Sequence, residues 1–482
     1  MELSRQEILL LDGAMGTMIQ HSDLPDHAFP PGQEGNNDLL VLTAPQVILE
    51  IHRAYLDAGA HIIETNTFGA NALSQADYGM ESRVYELNLR GAQLAREAAD
   101  AYEAVTGTPR FAAGSIGPTS KSASLPPRVE DPEYREADFL ILRESYREQI
   151  RGLIDGGVDL LLIETCFDAL NCKAALTAAR ELFNELGCEL PLMVSATISD
   201  TGGRTLTGQT LEAFYRAVEA YDLFSFGVNC SFGASGLLGP LRTLSQVVTC
   251  RLSVHPNAGL PDAYGSYTQS AEEMVQEAMP FIDGQLVHII GGCCGTTPQH
   301  IALLSRSISK TVPPEVRAKD SIAVFSGLEQ YRMDTGQLTA VGERTNVAGS
   351  RRFARLVREG QWDKVMDIAR AQVEAGARII DVCMDDALLD GAAAMRSFLR
   401  RIALEPDISR VPVMIDSSRW DIIEVGLQHL QGKGIVNSIS LKEGPEAFIS
   451  QAQLIRHYGA SMVVMLFDEQ GQADRFERKV EI

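Results

Sequence analysis

Eight short apolar runs recur through roughly the first 300 residues, each ending on polar or small residues and each followed by a helix-like stretch. They are ILLLDGAM (8–15), HIIETNTF (61–68), RFAAGSIG (110–117), DLLLIETC (159–166), LMVSATI (192–198), LFSFGVNC (223–230), RLSVHPNAG (251–259) and LVHIIGGCC (286–294). Near-continuous apolarity marks strands covered on both faces, as in a parallel sheet flanked by helices; a half-solvated antiparallel strand would alternate. Eight such strands predict a (β/α)8 barrel, with a doubly wound open sheet as the second choice. The connectors agree: APQVILEIHRAYLDAGA has Pro45 near its start, apolar residues at helical spacing and Gly59 at its end.

The phrase shared by YLDAGAHIIETN and GLIDGGVDLLLIET returns in QVEAGARIIDVCMD (372–385), which predicts a second domain of the same α/β type. Between 308 and 336 the rhythm breaks in a charged stretch containing Pro313 and Pro314. It resumes with LTAVGERTN (338–346), RIIDVCMD (378–385), VPVMIDSS (411–418), GIVNSIS (434–440) and SMVVMLFDE (461–469). The expected organisation is two tandem TIM-type barrels: a first barrel over 1–310, a linker over 311–336 and a second barrel over 337–482. A complete barrel takes about 250 residues. The second is therefore expected to be truncated after about five strands, in a chain that is either a fragment of a longer protein or a shortened product.

Composition narrows the partners. A formal net charge of −22 argues against nucleic acid, since nothing would offset repulsion from phosphates. No run of about 18 apolar residues and no export-signal pattern occurs, so no membrane association is expected. Eight cysteines in 482 residues are too sparse for a disulfide scaffold, and a reducing cytoplasm is the expected setting. Cys166, Cys172, Cys188 and Cys250 lack metal-ligand spacing and are expected to be packed small residues.

Cys230, Cys293 and Cys294 stand apart because the C-terminal ends of barrel strands form the active face. Cys230 closes the sixth run, and Cys293 and Cys294 close the eighth. Adjacent strand residues point to opposite faces, so the pair can share a ligand only through a turn, which Gly291, Gly292 and Gly295 permit. Thr296-Thr297-Pro298 then predicts a helix start with a Thr N-cap. Two adjacent cysteines alone fit a packed pair as well as a metal site. Their place at the rim, the glycines and a third strand-end cysteine favour Zn²⁺, with the fourth coordination position open. Glu164 ends an apolar run, where a carboxylate is costly unless paired, which favours a function, and Asp12 is open to a second reading as a strand-end cap. His255 and His288 are expected to be satisfied core histidines.

GVNC together with GGCCGTTPQHI resembles the zinc motif of homocysteine S-methyltransferases. LDGAMGTMIQ, IIETNTFGAN, GSIGPT, GRTLTGQT and PNAGLPDAYGSY are similar to the cobalamin-dependent methionine synthase family in particular. VGERTNVAGSRRFARL, MIDSSRWDIIEVGLQHLQGKGIVNSISLKEG and VVMLFDEQGQAD resemble its pterin-binding, methyltetrahydrofolate region.

The resemblance implies that Cys230, Cys293 and Cys294 hold zinc and that homocysteine sulfur takes the fourth position. It also implies that Asp12 and Glu164 lie near the substrate ammonium, and that the turn containing Gly16 and Thr17 meets its carboxylate. A thiol of pKa about 8.5 is mostly protonated at neutral pH; zinc removes the proton, and three thiolates leave the bound sulfur electron-rich. Glu343, Asn346, Asp381, Asp416 and Asn437 fall to the folate site. Cys383 departs from the pattern, since relatives usually carry Asn there, and a hydrogen-bonding amide is lost. The implied reaction is methionine formation from homocysteine. Methyltetrahydrofolate is the ultimate donor, and methylcobalamin sits on a cobalamin-binding domain or protein outside these residues, which lack an Asp-x-His-x-x-Gly motif. The rivals are a cobalamin-independent betaine- or sulfonium-type methyltransferase and a non-catalytic zinc-binding fragment.

Overall fold

The computed structural model describes residues 7–482 apart from 129, 201, 310 and 320. Each of the eight predicted runs contains a strand: β1 Leu9–Leu10, β2 Ile62–Glu64, β3 Phe111–Ile116, β4 Leu160–Cys166, β5 Leu192–Ala196, β6 Ser225–Gly233, β7 Arg251–Asn257 and β8 Ile289–Ile290. Their order is β1-β8-β7-β6-β5-β4-β3-β2, every pairing is parallel, and a Leu11–Ile62 bridge brings the two ends together. The sheet is thus a nearly closed barrel, not a doubly wound open sheet.

The apolar runs are continuous because each strand buries both faces. Leu9, Leu11, Ile62, Leu160, Leu162 and Ile289 fill the barrel interior. Their neighbours Leu10, Ile63, Leu161 and Ile290 pack outward against the helices. With both sets removed from water at about 25 cal/mol per Å² of apolar surface, an interior polar substitution would be costly. The helix Pro45–Asp57 begins on Pro45 as predicted, and Pro298–Ile308 is capped by Thr297, whose hydroxyl lies 3.0 Å from His300 Nδ1.

The joining segment expected over 311–336 has secondary structure of its own. Within it β9, Val324–Ser326, and β10, Gln330–Arg332, form an antiparallel hairpin. The hairpin bonds to both neighbours: Thr210 N–H donates to Leu328 O (2.9 Å), while Leu328 N–H donates to Ser409 O (2.8 Å). Turn chemistry of this kind has no apolar period, so the pattern that marks barrel strands passes over it.

The second sheet contains β11 Val341–Asn346, β12 Ile379–Cys383, β13 Val413–Asp416, β14 Ile435–Leu441 and β15 Ser461–Asp468, all parallel and in sequence order. A short β16, Gly471–Gln472, folds back antiparallel on β15, which the strand count did not anticipate. This half-barrel leaves Val463, Val464, Met465 and Leu466 of β15 exposed.

The two units pack closely. Lys173, fully buried on helix Ala169–Leu186, donates to the carbonyls of Leu430 (3.0 Å) and Gly432 (2.6 Å) in the second unit. Burial pulls its pKa down to about 7. Arg401 meets Glu133, Lys433 meets Glu219, and the Phe139 and Tyr458 rings lie 5.4 Å apart. Among the described residues no single helix is long and apolar enough to cross a membrane.

Candidate active site

At Cys230 and Ser231 strand β6 leaves the extended conformation, with φ of +61° and +63°, and its register against β7 shifts between Asn229 and Gly233. Left-handed backbone costs a non-glycine residue about 1–2 kcal/mol, so two in succession record a local demand that the surrounding structure imposes. Here the bend turns the Cys230 sulfur toward the end of β8.

The other two sulfurs come from the glycine-flanked turn after β8. Cys293 N–H donates to Pro256 O (2.8 Å), Ala258 N–H donates to Cys294 O (2.9 Å), and the Thr296 hydroxyl donates to Cys293 O (2.7 Å). Gly295 takes φ +80° and donates its N–H to Thr17 Oγ1 (3.0 Å). The three sulfurs lie within 4.8 Å of one another, with Cys230 and Cys294 at 3.8 Å. Tetrahedral zinc with Zn–S near 2.3 Å sets sulfurs about 3.8 Å apart, so the donor set fits that ion in number, chemistry and spacing. Hydrogen bonds from Cys293 and Cys294 hold the Cys230 thiol well below its ordinary pKa, while those two thiols are pushed up. Three thiols drawn together in this way are a donor set from which a bound cation would displace protons.

Three residues around the sulfurs escaped sequence reasoning. Asn257 hydrogen-bonds Cys230, and its Oδ1 has no partner among the described residues. Tyr267 hydrogen-bonds Cys294, and Asn229 Nδ2 lies 3.8 Å from the Cys293 sulfur. All three stand inside GVNC or PNAGLPDAYGSY, where a polar residue beside a ligand was the available signal.

Buried carboxylates stand across the cavity on the same rim. Glu164, on β4, accepts from Ser115 Oγ at 2.5 Å and hydrogen-bonds Glu64, on β2. Asp12 Oδ2 accepts the Glu64 backbone N–H at 2.9 Å, while Oδ1 has no partner among the described residues. Burial pushes Glu164 up to about 7, and burial with mutual repulsion raises Glu64 and Asp12 as well. Asp12 thus holds the end of β2 through one carboxylate oxygen, as a strand-end cap does, and Glu64 joins Glu164 on the cavity wall. Glu64 was the missed carboxylate. HIIET and LLLIET already matched in the sequence, and the same position after each run carries the acid.

A cavity of about 530 Å³ opens between the sulfurs and the carboxylates. Gly16 and Thr17 line it; a Cβ on Gly16 would meet nothing within 4 Å, whereas the Thr17 hydroxyl is already engaged by Gly295 N–H. His255 also lines it, with Nε2 unpartnered among the described residues and burial lowering its pKa to about 4. It is a neutral wall residue, not the satisfied core histidine expected. His288 does serve the scaffold, its Nδ1 accepting Leu252 N–H at 2.9 Å.

In the second sheet, parallel register lines up Asn346, Cys383, Asp416 and Asn437 across β11 to β14. Asp381, two residues before Cys383 on the same face, is buried and hydrogen-bonds Asn437, and its Oδ1 has no partner among the described residues. Burial, Asp416 and Glu343 push it up to about 7; burial, Asp385 and Glu343 raise Asp416. Glu343 and Arg344 bulge out of β11, where Gln372 Oε1 accepts Arg344 N–H at 2.6 Å. The Asn346 side chain caps its own turn, Oδ1 accepting Gly349 N–H at 2.8 Å. Asp385, missed in the sequence, accepts from Ser417 and Ser418 and fixes the loop after β13. Burial pushes the Cys383 thiol up to about 12, so it enters this row uncharged.

A nearly closed parallel barrel with sulfur donors and buried acids around one cavity on its C-terminal rim defines a barrel of the enzyme type. A homocysteine S-methyltransferase family model matches residues 9–308, and a pterin-binding enzyme model matches residues 342–482. The chain belongs to the homocysteine S-methyltransferase family, and its two domains correspond to the N-terminal homocysteine- and folate-binding regions of methionine synthase. Solved structures similar to it include the metallated and oxidized forms of the homocysteine methyltransferase MmuM from Escherichia coli. Both are 25% identical and cover 63% of this chain and 96% of that one, with TM-scores of 0.48 and 0.49. A rubisco-like protein from Burkholderia fungorum is 10% identical over 63% of this chain and 60% of its own, with a TM-score of 0.33. The assignment rests on the family models.

Proposed function

We propose that the chain is the homocysteine- and folate-binding part of a cobalamin-dependent methionine synthase. Its first unit, to residue 310, binds zinc and homocysteine; 311–336 joins it to a methyltetrahydrofolate-binding unit from 337. The reading is carried by the placement of the three sulfurs within 4.8 Å of one another on the wall of a cavity shared with Glu64 and Glu164. Zinc held by Cys230, Cys293 and Cys294 supplies a charge that keeps the homocysteine sulfur ionised at neutral pH. The chain's own groups do the rest. Glu64 and Glu164 face the amino acid's ammonium, a cation that lowers their raised pKa values on arrival. The first-turn N–H groups around Gly16 have no intrahelical acceptor and face its carboxylate. Methyl donation is assigned to methylcobalamin on a separate module, and its regeneration to the folate unit. A reducing cytoplasm, which keeps the thiols free, is the proposed setting.

The test is methyl transfer to homocysteine by the zinc-loaded chain from free methylcobalamin and from betaine. Product with methylcobalamin alone is expected; product with betaine alone would favour the cobalamin-independent reading, against which the pterin-binding match already weighs. If homocysteine leaves the spectrum of the Co²⁺-substituted protein unchanged, the chain is a non-catalytic metal binder.

The folate unit gives a separate prediction. Asp381 is pushed up to about 7 in the fold, above about 3.9 in an unfolded chain, so stability is fully present below pH ~4 and falls as pH rises toward 7. Asp381→Asn is expected to flatten that decline and raise Tm at pH 8. It should also weaken methyltetrahydrofolate binding about tenfold, the cost of losing one hydrogen bond to a charged group. Fluorescence titration and melting curves at pH 5 and 8 check both; unchanged folate affinity would remove Asp381 from the pterin site.

A further inference from the structure

Asn229 lies at the centre of the rim, 1% exposed, and all four hydrogen-bonding positions of its amide are used. Its Oδ1 accepts the Thr165 backbone N–H (3.0 Å) and the Ser195 hydroxyl (2.7 Å). Its Nδ2 meets Thr165 Oγ1 (2.8 Å) and the Cys293 sulfur (3.8 Å). The backbone N–H of Thr165 can only donate, which fixes the oxygen on that side and leaves the NH₂ group facing sulfur. Thr165 itself sits at φ +55°, directly after Glu164, and Cys230 at φ +61° directly follows Asn229. One side chain thus reaches from β6 past β5 to the strained turn of β4 and to the cysteine turn after β8.

We infer that Asn229 is a positioning residue that ties the sulfur cluster to the carboxylate side of the cavity. Its N–H donor sets the direction and electron density of the Cys293 sulfur, and its two bonds to Thr165 hold the turn that aims Glu164. Metal affinity and amino-acid affinity are therefore coupled through this amide. The inference rests on the zinc and homocysteine reading above.

Two variants of the full chain test it, with zinc affinity from chelator competition, the sulfur-to-Co²⁺ charge-transfer band, homocysteine affinity and melting of the metal-free protein. Asn229→Asp keeps the acceptor for Thr165 N–H and the Ser195 hydroxyl but puts a carboxylate oxygen against sulfur. Zinc affinity is expected to fall about 10–100-fold, the range for outer-shell partners of metal ligands. The charge-transfer band should move to lower energy, a shift that a merely structural role would not produce. Thr165→Val tests the tie from its far end: the donor to sulfur remains, zinc affinity stays within about twofold, and homocysteine affinity falls about five- to tenfold for one lost hydrogen bond. Asn229→Asp with wild-type zinc affinity and an unmoved band overturns the inference, as does Thr165→Val with wild-type homocysteine affinity. A wild type that binds zinc and ignores homocysteine sinks the homocysteine reading and the coupling, while the Asn229→Asp zinc arm still decides the sulfur contact. A wild type that binds no zinc overturns both.

Discussion

Cys293→Ala is expected to lower zinc affinity by more than about 100-fold, beyond what an outer-shell change costs, and to lower homocysteine methylation by about 3 × 10³-fold. Two losses multiply. Without the metal, a thiol of pKa about 8.5 is only about 3% ionised at pH 7, which removes a factor near 30. Losing the group that places the sulfur adds about 10², the cost of roughly 1 Å of misplacement. The metal-free protein should lose only about 1–3 kcal/mol, for the Asn229 N–H left without its sulfur acceptor, because the backbone bonds of Cys293 to Pro256 and Thr296 survive the change. Cys294→Ala should behave alike, whereas Cys250→Ala, at a half-buried cysteine outside the cluster, should keep full zinc content. Zinc analysis of purified protein with melting curves checks all three. A Cys293→Ala protein with wild-type zinc would show that the sulfurs are packed thiols and not ligands.

The first barrel was legible because its cause is one-dimensional. Leu9 and Leu11 face the interior, Leu10 faces the helices, and a strand buried on both sides must be apolar throughout. The cysteines were legible for a related reason: a barrel sends every strand end to one rim, so Cys230 and Cys293 meet despite their distance in sequence. What could not be read is what depends on the third dimension within that rim. The left-handed turn at Cys230 and Ser231 and the amide of Asn229 carry no period. The hydrogen bond from the Glu64 backbone N–H to Asp12 Oδ2, at 2.9 Å, and the place of the Glu64 side chain on the cavity wall follow no period either. The hairpin at 324–332 escaped because it pairs with itself and with two other elements rather than with a repeat. In the second unit the row Asn346, Cys383, Asp416, Asn437 follows from register, which the sequence pattern suggested strand by strand without aligning it.

Gly295→Ala should do nearly as much damage as removing a ligand, and by a different route. At φ +80° an added Cβ costs about 1–2 kcal/mol of backbone energy. That Cβ would also lie 2.2 Å from the Tyr267 Cβ and 2.5 Å from its Cγ, closer than carbon atoms can approach. Overpacking of this kind adds about 1–3 kcal/mol, so the first barrel is expected to lose about 2–5 kcal/mol in total. The collision falls on the residue that hydrogen-bonds Cys294, and the N–H of Gly295 is what engages Thr17. Relief must therefore open the turn that aims two sulfurs at one point, and zinc affinity should drop about 10–100-fold along with stability. Gly16→Ala is the matched control. Its Cβ meets nothing, its backbone is helical, and it should be neutral or stabilising by about 0.5–1 kcal/mol while narrowing the cavity and raising the homocysteine KM. Denaturant unfolding and chelator competition on the two proteins decide the matter. Equal zinc affinity in Gly295→Ala and wild type would mean that the sulfurs are placed by something other than this turn.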